Sequence, residues 1–128
     1  MDDKSLKQLL KNHSAWVRGG EEEGRRAVLI GADLHEADLR NADMRGVNLT
    51  DADLSGADLR SANLSEAILL RANLKNALLD QTDLTEADLR AADLTDASLR
   101  GTEVWRCNLM GCAIEPQALH TLLDCRTV

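Results

Sequence analysis

The apolar residues of this chain recur at every fifth position from residue 27 to residue 116. Eighteen consecutive five-residue units share one pattern: the first place is Ala in thirteen units, and the third place is Leu in fifteen. The other three places hold mostly Asp, Asn, Arg, Ser, Glu and Gly. A fixed short period over so long a segment predicts a repeat structure in which each unit packs against its neighbours.

A period of five fits neither an α-helix nor a flat strand. On a helix, positions five apart differ in direction by about 140°, so the Leu side chains would appear on every side. On a flat strand, an odd period would send successive Leu side chains to opposite faces. The pattern instead favours a short extended piece followed by a corner, so that each Leu and each first-place Ala points to a common axis. Asp, Asn, Ser and Gly in the remaining places are good corner residues.

Two adjacent units, Ala52-Asp53-Leu54-Ser55-Gly56 and Ala57-Asp58-Leu59-Arg60-Ser61, resemble the pentapeptide-repeat family, whose consensus is A(D/N)LXX. The resemblance covers about 70% of the chain. It implies an all-β solenoid, a right-handed quadrilateral β-helix with four units per coil. Eighteen units then give about four and a half coils and a rod roughly 22 Å long at strand spacing. Residues twenty positions apart would stack directly on one another.

The two ends of the repeat segment predict helices that cap the solenoid. A stack of coils leaves unpaired backbone groups at each end, so a solenoid needs caps. Residues 3–17 have an amphipathic pattern with Asp3 as N-cap, and Gly19 and Gly20 would end the helix before a charged loop at 21–26. Its predicted apolar face consists of Leu6, Leu9, Leu10, His13, Trp16 and Val17.

The predicted organisation has three parts. A helix and loop occupy residues 1–26, the β-helix occupies 27–116, and a C-terminal helix and tail occupy 117–128, with Pro116 well placed as the first helical residue. The N-terminal part, with His13-Ser14-Ala15-Trp16, resembles the helical leader of many bacterial members of the family. In some members a C-terminal helix pairs two molecules, so both a monomer and a tail-to-tail homodimer remain open.

Composition and charge limit the cellular locations and the classes of partner that we expect for this protein. The net charge of −7 argues against direct nucleic-acid binding, because phosphate recognition needs a basic surface. No apolar run approaches the roughly 18 residues of a membrane span, and the acidic N-terminus does not resemble a signal peptide. Cys107, Cys112 and Cys125 form neither an even set nor a Cys-x-x-Cys pair. We therefore expect reduced thiols, a cytoplasmic location and no membrane contact.

No constellation of residues predicts catalysis, a metal site or a cofactor. His13, His35 and His120 lie in three different segments and form no ligand pair at helical or hairpin spacing. The chain also has no phosphate-binding glycine loop and no nucleophile elbow. We therefore expect that the protein is not an enzyme.

Four inward places depart from Ala in a way that could suggest chemistry. Cys107 and Cys112 occupy successive first places, where we interpret them as small buried apolar groups. Thr82 and Thr102 make the same kind of replacement on one face, and we expect their hydroxyls to bond to the backbone.

Apolar residues at outward places are the clearest pointer to a binding surface. Ile68, Leu70 and Leu78 stand where polar residues belong, and Trp105 lies outward near the C-terminal end. We interpret these four residues as candidate partner contacts, because an exposed apolar patch commonly marks an interaction site.

Other outward apolar residues have an alternative explanation in the terminal helices. Val28 and Ile30 are expected to lie beneath the N-terminal helix. Met110, together with Trp105, is expected to lie beneath the C-terminal one.

The predicted function is a non-enzymatic protein-interaction or scaffold module whose partner is not identified. The alternative is an acidic DNA mimic acting on a type II topoisomerase, by gyrase inhibition or quinolone protection, as the resemblance implies for some members. The repeats hold sixteen acidic and eight basic side chains. Their net charge is therefore −8, spread over four faces, whereas duplex DNA of 22 Å carries roughly 13 negative charges. A mimic would therefore need to dimerise.

Overall fold

The computed structural model describes residues 1–19 and 26–124. Its helices are α1 (Asp3–Gly19) and α2 (Pro116–Asp124), and the repeats lie between them. Within the described residues, fourteen isolated parallel β-bridges each join a residue to the one twenty positions later, from Val28↔Asn48 to Asp93↔Ala113. Twenty residues are four units, so the repeats wind into a β-helical solenoid. The prediction that positions twenty apart stack on one another is confirmed.

The bridges form four columns, one for each unit of a turn, and we name each face of the solenoid by its first bridged residue. The Val28 face contains Asn48, Ile68, Asp88 and Asn108; the Asp33 face contains Asp53, Asn73, Asp93 and Ala113; the Asp38 face contains Asp58, Leu78 and Ser98; the Asp43 face contains Asn63, Asp83 and Glu103. Because the faces follow one another around each turn, the Val28 and Asp38 faces are opposite, as are the Asp33 and Asp43 faces.

Each unit binds the next turn through its backbone and closes a corner of its own. In the unit that begins at Ala52, the Leu54 N–H donates to Asn73 O at 2.8 Å, and the Gly56 N–H donates to Lys75 O at 2.8 Å. The fifth place of a unit then takes a positive φ, between 56° and 70°. This left-handed corner explains why Gly and Asn recur there, since both tolerate that conformation.

The core lies along the solenoid axis, and each turn contributes inward side chains from all four faces. The third-place Leu residues from Leu29 to Leu94, with Met44 among them, are almost completely buried, and most first-place Ala residues are buried beside them. The inward residues of the last turn, among them Val104, Leu109 and Ile114, are only half-buried. The core is therefore most complete in the middle of the solenoid.

The buried threonines bond to the backbone, as predicted. The Thr82 hydroxyl donates to Leu59 O at 2.7 Å, and the Thr102 hydroxyl donates to Leu79 O at 2.8 Å. Both side chains are buried on the Asp43 face side of the axis. A hydroxyl can thus replace an inward methyl without leaving an unpaired donor.

Replacing Thr82 with Val should lower the free energy of unfolding by only about 1 kcal/mol. The change keeps the volume and removes the hydroxyl, while Leu59 O keeps the bond it accepts from the Ala62 N–H at 3.0 Å. Urea denaturation followed by circular dichroism would measure the effect, and Thr102→Val should give a loss of similar size. A loss above about 3 kcal/mol would show that the hydroxyl is required to satisfy Leu59 O.

Both predicted helices are present, and α1 differs from the prediction in its N-cap and its last residues. Asp2, rather than Asp3, is the N-cap: its Oδ1 accepts the Ser5 N–H at 2.7 Å. The helix also continues two residues beyond the predicted end at residue 17. The start of α2 at Pro116 is confirmed. The predicted charged loop lies outside the described residues except for Arg26, and so does Cys125.

The prediction that the terminal helices cover the outward apolar residues near each end was wrong. Val28 and Ile30 are 60% and 56% exposed, and Trp105 and Met110 are 63% and 74% exposed. The cause for the first pair lies in the direction of α1, whose buried residues pack towards the axis. In the part of the chain that the structure describes, neither helix has the length and hydropathy needed to cross a bilayer.

Candidate interaction surface

Ile68 and Leu70 lie side by side at outward places in the middle of the Val28 face. The backbone at Ile68 is bridged to both neighbouring turns. Towards the turn before, its N–H donates to Val47 O at 2.9 Å and its O accepts the Leu49 N–H at 2.7 Å; towards the turn after, the Asp88 N–H donates to Ala67 O at 2.9 Å. Both side chains are half-buried. A solenoid backbone thus holds two partly exposed apolar side chains in fixed positions.

Polar pairs stand directly above and below these two residues. In the turn before, Asn48 Oδ1 accepts both the backbone N–H and the hydroxyl of Thr50, at 3.1 and 2.7 Å. In the turn after, Asp88 Oδ2 lies 2.7 Å from Arg90 Nη2. Ile68 therefore breaks a pattern in which the second-place side chain bonds to the fourth-place residue of the same unit.

This local pattern gives the frequent Asp residues a structural role. The Asp38 carboxylate accepts the Arg40 backbone N–H at 3.3 Å and two guanidinium bonds at 2.9 Å. These bonds to Arg40 lower the pKa of Asp38 to about 2. Similar carboxylate–guanidinium pairs are Asp43–Arg45, Asp58–Arg60, Asp88–Arg90 and, between successive turns, Asp51–Arg71. Much of the acidic character of the repeats is thus locally neutralised.

The other two predicted contact residues lie apart from Ile68 and Leu70. Leu78 is half-buried on the Asp38 face, bridged to Asp58 and Ser98, so it points away from Ile68. Trp105 lies on the Asp43 face, in the last complete turn. The structure therefore brings together two of the four predicted residues. The strongly exposed Met110 lies in the unit after that of Trp105, on the adjoining Val28 face.

The cysteines Cys107 and Cys112 behave as apolar core residues. Both are half-buried and pack against the hydrophobic core. Burial raises the pKa of Cys107 to about 12, and burial also raises the pKa of Cys112. The thiols therefore stay protonated near neutral pH, which is the form expected of a small buried side chain.

His13 has a structural role that the sequence pattern did not indicate. The pattern placed it only on the apolar face of the helix. It is fully buried and stacks on Trp16 with ring centroids 5.7 Å apart. Nδ1 accepts the Ala27 N–H at 2.9 Å, and Nε2 lies 2.6 Å from Arg45 O, so the proton sits on Nε2. Burial lowers the pKa of His13, in keeping with a neutral ring. The imidazole thus pairs two backbone groups of the first turn.

The remaining histidines are exposed. His120 lies on α2. His35 lies outward on the Asp33 face, with Nδ1 2.5 Å from Asp33 Oδ1. The bond to Asp33 raises the pKa of His35.

Comparison with known proteins agrees with this architecture. The family model for pentapeptide repeats matches in eight copies, over residues 25–46, 42–81 and 77–112. Rfr23, a pentapeptide repeat protein of the cyanobacterium Cyanothece 51142, is 34% identical with a TM-score of 0.68. That match covers 70% of this chain but only 62% of Rfr23, so the chain spans less than two thirds of its relative. A search of curated proteins gave no significant match.

Two more distant structures also match the chain. A pentapeptide repeat protein of the Arabidopsis thaliana thylakoid lumen is 26% identical, with a TM-score of 0.51 over 77% of this chain and 72% of its own. A trypsin-treated form of QnrB1, a plasmid-mediated fluoroquinolone resistance protein, is 21% identical over 82% of this chain and 70% of its own. Its TM-score of 0.36 is too low to support an argument about function. On its repeats and on the family match, the chain belongs to the pentapeptide-repeat family.

Proposed function

We propose that this protein is a non-enzymatic interaction or scaffold module that binds a protein partner through Ile68 and Leu70. The observation that supports this most directly is the position of two partly exposed apolar side chains in the middle of an otherwise polar stretch of the Val28 face. Neighbouring polar residues would form the rim of the interface, as in many protein complexes.

Neither helix offers intramolecular cover for this pair. The hydrogen bonds of α1 reach Ala27, Asp43 and Arg45 in the first turn. The second helix begins only at Pro116, more than two turns beyond Leu70. A partner that buried the exposed parts of both side chains would gain part of the roughly 1.5–3 kcal/mol that full burial of each contributes.

The proposal includes the finer organisation of the molecule. We take the solenoid to be a right-handed coil of about four and a half turns, with residues 1–26 and 117–128 as caps. The bonds of His13 to the first turn and the burial of Leu6 and Leu122 in the core support capping. Free Cys107 and Cys112 support a reducing, cytoplasmic location.

The alternative function, an acidic DNA mimic acting on a type II topoisomerase, has weaker support. The acidic excess of the repeats favours it. The alternation of carboxylates with guanidinium groups opposes it, since duplex DNA presents an uninterrupted series of negative charges. A gyrase supercoiling assay decides the matter: inhibition or quinolone protection by micromolar protein would favour mimicry over the interaction proposal.

The double variant Ile68→Asp/Leu70→Asp tests the proposed surface. We expect its circular dichroism and melting temperature to stay close to those of the parent, while retention of co-purifying host proteins falls at least tenfold. Leu78→Asp is the matched control, because Leu78 is also half-buried at an outward place but on the opposite face.

The measurement is quantitative mass spectrometry of pull-downs from the native host, with light scattering to decide between a monomer and a tail-to-tail homodimer. Equal retention by parent and double variant would overturn the proposed surface. Equal loss in the double variant and in Leu78→Asp would indicate a general effect of added charge instead.

A further inference from the structure

Three potential metal ligands meet on the Asp33 face, although they are not adjacent in sequence. Asp33, His35 and Asp53 each direct one ligand atom to a common place, where these atoms all lie within 4.8 Å of one another. Asp33 and Asp53 belong to successive turns and are joined by a backbone bridge. His35 lies two residues after Asp33, and its Nδ1 is 2.5 Å from Asp33 Oδ1. The winding of the solenoid creates this group.

The backbone holds the two carboxylates in a fixed relation. The Leu34 N–H donates to Asp53 O at 2.8 Å, and the Asp53 N–H donates to Ala32 O at 2.9 Å. The Asp53 carboxylate accepts the backbone N–H and the hydroxyl of Ser55, at 3.0 and 2.6 Å, so its direction is also set. Little conformational freedom would be lost on binding an ion here.

The neighbouring Asp38 face also has a stacked pair of carboxylates, but arginine side chains accompany that pair. On the Asp38 face, an equivalent stacked pair, Asp38 and Asp58, is accompanied by Arg40 and Arg60 at the fourth places. Arg40 Nε lies 2.9 Å from Asp38 Oδ1 and 3.9 Å from Asp58 Oδ2, so one guanidinium serves both carboxylates.

Within the described residues, the stacked pair Asp33 and Asp53 has no such cation, although Asp93, farther along the same face, is paired with Lys75 at 3.5 Å. The fourth places there are held by His35 and Ser55, and among the described residues no Lys or Arg forms an ion pair with Asp33 or Asp53. Two like charges one turn apart repel each other in the absence of a counter-charge. His35 stands in the place of Arg40, and a cation bound to its imidazole and to both carboxylates would supply the positive charge that Arg40 supplies on the next face.

The surroundings leave room for an ion and its water ligands. A cleft of about 290 Å³ separates the start of α1 from this part of the solenoid. Asp33 and His35 line it together with Met1, Asp3, Glu36 and Asp38. The third ligand, Asp53, does not line the cleft. Asp3 and Asp38 are paired with Lys7 and Arg40, so Glu36 is the acidic neighbour that adds to the negative potential around the group.

We propose that Asp33, His35 and Asp53 form a binding site for a divalent transition-metal ion, with Zn²⁺ as the type ion. One imidazole nitrogen and two carboxylate oxygens are a donor set that suits Zn²⁺, Ni²⁺ or Cu²⁺ better than Mg²⁺ or Ca²⁺. Ligand atoms around tetrahedral Zn²⁺ are about 3.4 Å apart, so small side-chain rotations from the present hydrogen-bonded arrangement would suffice. Three protein ligands leave the remaining position to water.

Two measurements on the purified full-length chain test the site, with the metal ion alone as probe. Calorimetric titration with Zn²⁺ should give one ion per chain, with affinity reduced at least tenfold in His35→Ala and in Asp53→Asn. Added Ni²⁺ should broaden amide NMR signals around residues 33–36 and 53–56. This second measurement identifies the place of binding independently of the three thiols, which are alternative Zn²⁺ ligands.

The matched controls are Asp58→Asn, which changes the equivalent residue of the neighbouring face, and His120→Ala, which removes another exposed imidazole. Both should bind within twofold of the parent, and Mg²⁺ in tenfold excess over Zn²⁺ should not compete. The proposal is overturned if Asp58→Asn weakens binding as much as Asp53→Asn, because binding would then be a diffuse attraction to the acidic rod. Broadening centred elsewhere, or no heat of binding, would equally overturn it.

Discussion

Leu69→Ala is expected to lower the free energy of unfolding by about 3–5 kcal/mol, whereas Leu70→Ala should cost less than about 1 kcal/mol. The two residues are neighbours of the same type in the same unit. Leu69 is completely buried on the axis, and Leu70 is half-buried on the outer surface. The difference between the two losses in unfolding free energy measures how much burial in the core contributes to stability.

The large effect at Leu69 follows from the stacking of inward Leu side chains in successive turns. Leu49 and Leu89 occupy the equivalent inward places in the turns before and after, and both are completely buried. Backbone bonds between the turns resist collapse into the space left by a truncated side chain, so most of the cavity would persist. Stacked repeats depend on nearest-neighbour contacts, and a mid-rod cavity weakens contacts on both sides.

Urea denaturation monitored by circular dichroism measures both variants. Because repeat proteins can lose cooperativity, amide hydrogen exchange should accompany it, and we expect the amides of the turns around Leu69 to lose the most protection. Equal destabilisation by the two variants would contradict the assignment of Leu69 to the interior and Leu70 to the surface.

His13→Ala is expected to destabilise the N-terminal turn by about 2–4 kcal/mol. The variant removes the acceptor of the Ala27 N–H and the donor to Arg45 O, and each buried group left without a partner costs about 1–3 kcal/mol. His13→Gln can restore a donor and should recover part of the loss. His120→Ala, at an exposed position of α2, is the control and should change stability by less than about 0.5 kcal/mol. A loss no greater than that of the control would show that water readily replaces the imidazole.

The same residue predicts a dependence of stability on pH. Burial lowers the pKa of His13 below its ordinary value of 6.5, so the unfolded chain takes up a proton there at a higher pH than the folded chain. The stabilisation by neutral His13 should therefore be fully present above about pH 6.5 and decline as pH falls towards the lowered pKa. His35 acts in the opposite direction, because Asp33 raises its pKa. Measuring the free energy of unfolding of the parent and of His13→Ala over pH 5–8 separates the contribution of His13 from that of His35. A difference in free energy that does not change with pH would contradict the predicted linkage.

The repeat architecture could be predicted from the sequence because every unit has the same pattern of inward and outward positions. Leu in the third place and a small residue in the first place define an interior at every turn, and the bridges join residues twenty apart as the four-unit coil requires. The left-handed corner was not evident, because Arg71 and Ala91 occupy the same fifth place as the glycines. Backbone bonds between turns impose that conformation despite its cost for a residue with a Cβ.

The candidate sites were less accessible to sequence reasoning, because proximity in a solenoid depends on the turn and the face. Ile68 and Leu78 are ten residues apart and looked like parts of one patch, yet two units separate opposite faces. Asp53 is eighteen residues from His35 and no motif links them, yet successive turns bring them together.

The sequence by itself determined that this chain is a pentapeptide-repeat solenoid with helices at both ends, because a five-residue period is satisfied only by repeated corners around an axis. The tertiary structure alone decided that α1 leaves Val28 and Ile30 exposed and that His13 pairs the backbone of the first turn. These facts depend on contacts between residues far apart in the chain, to which the five-residue pattern makes no reference.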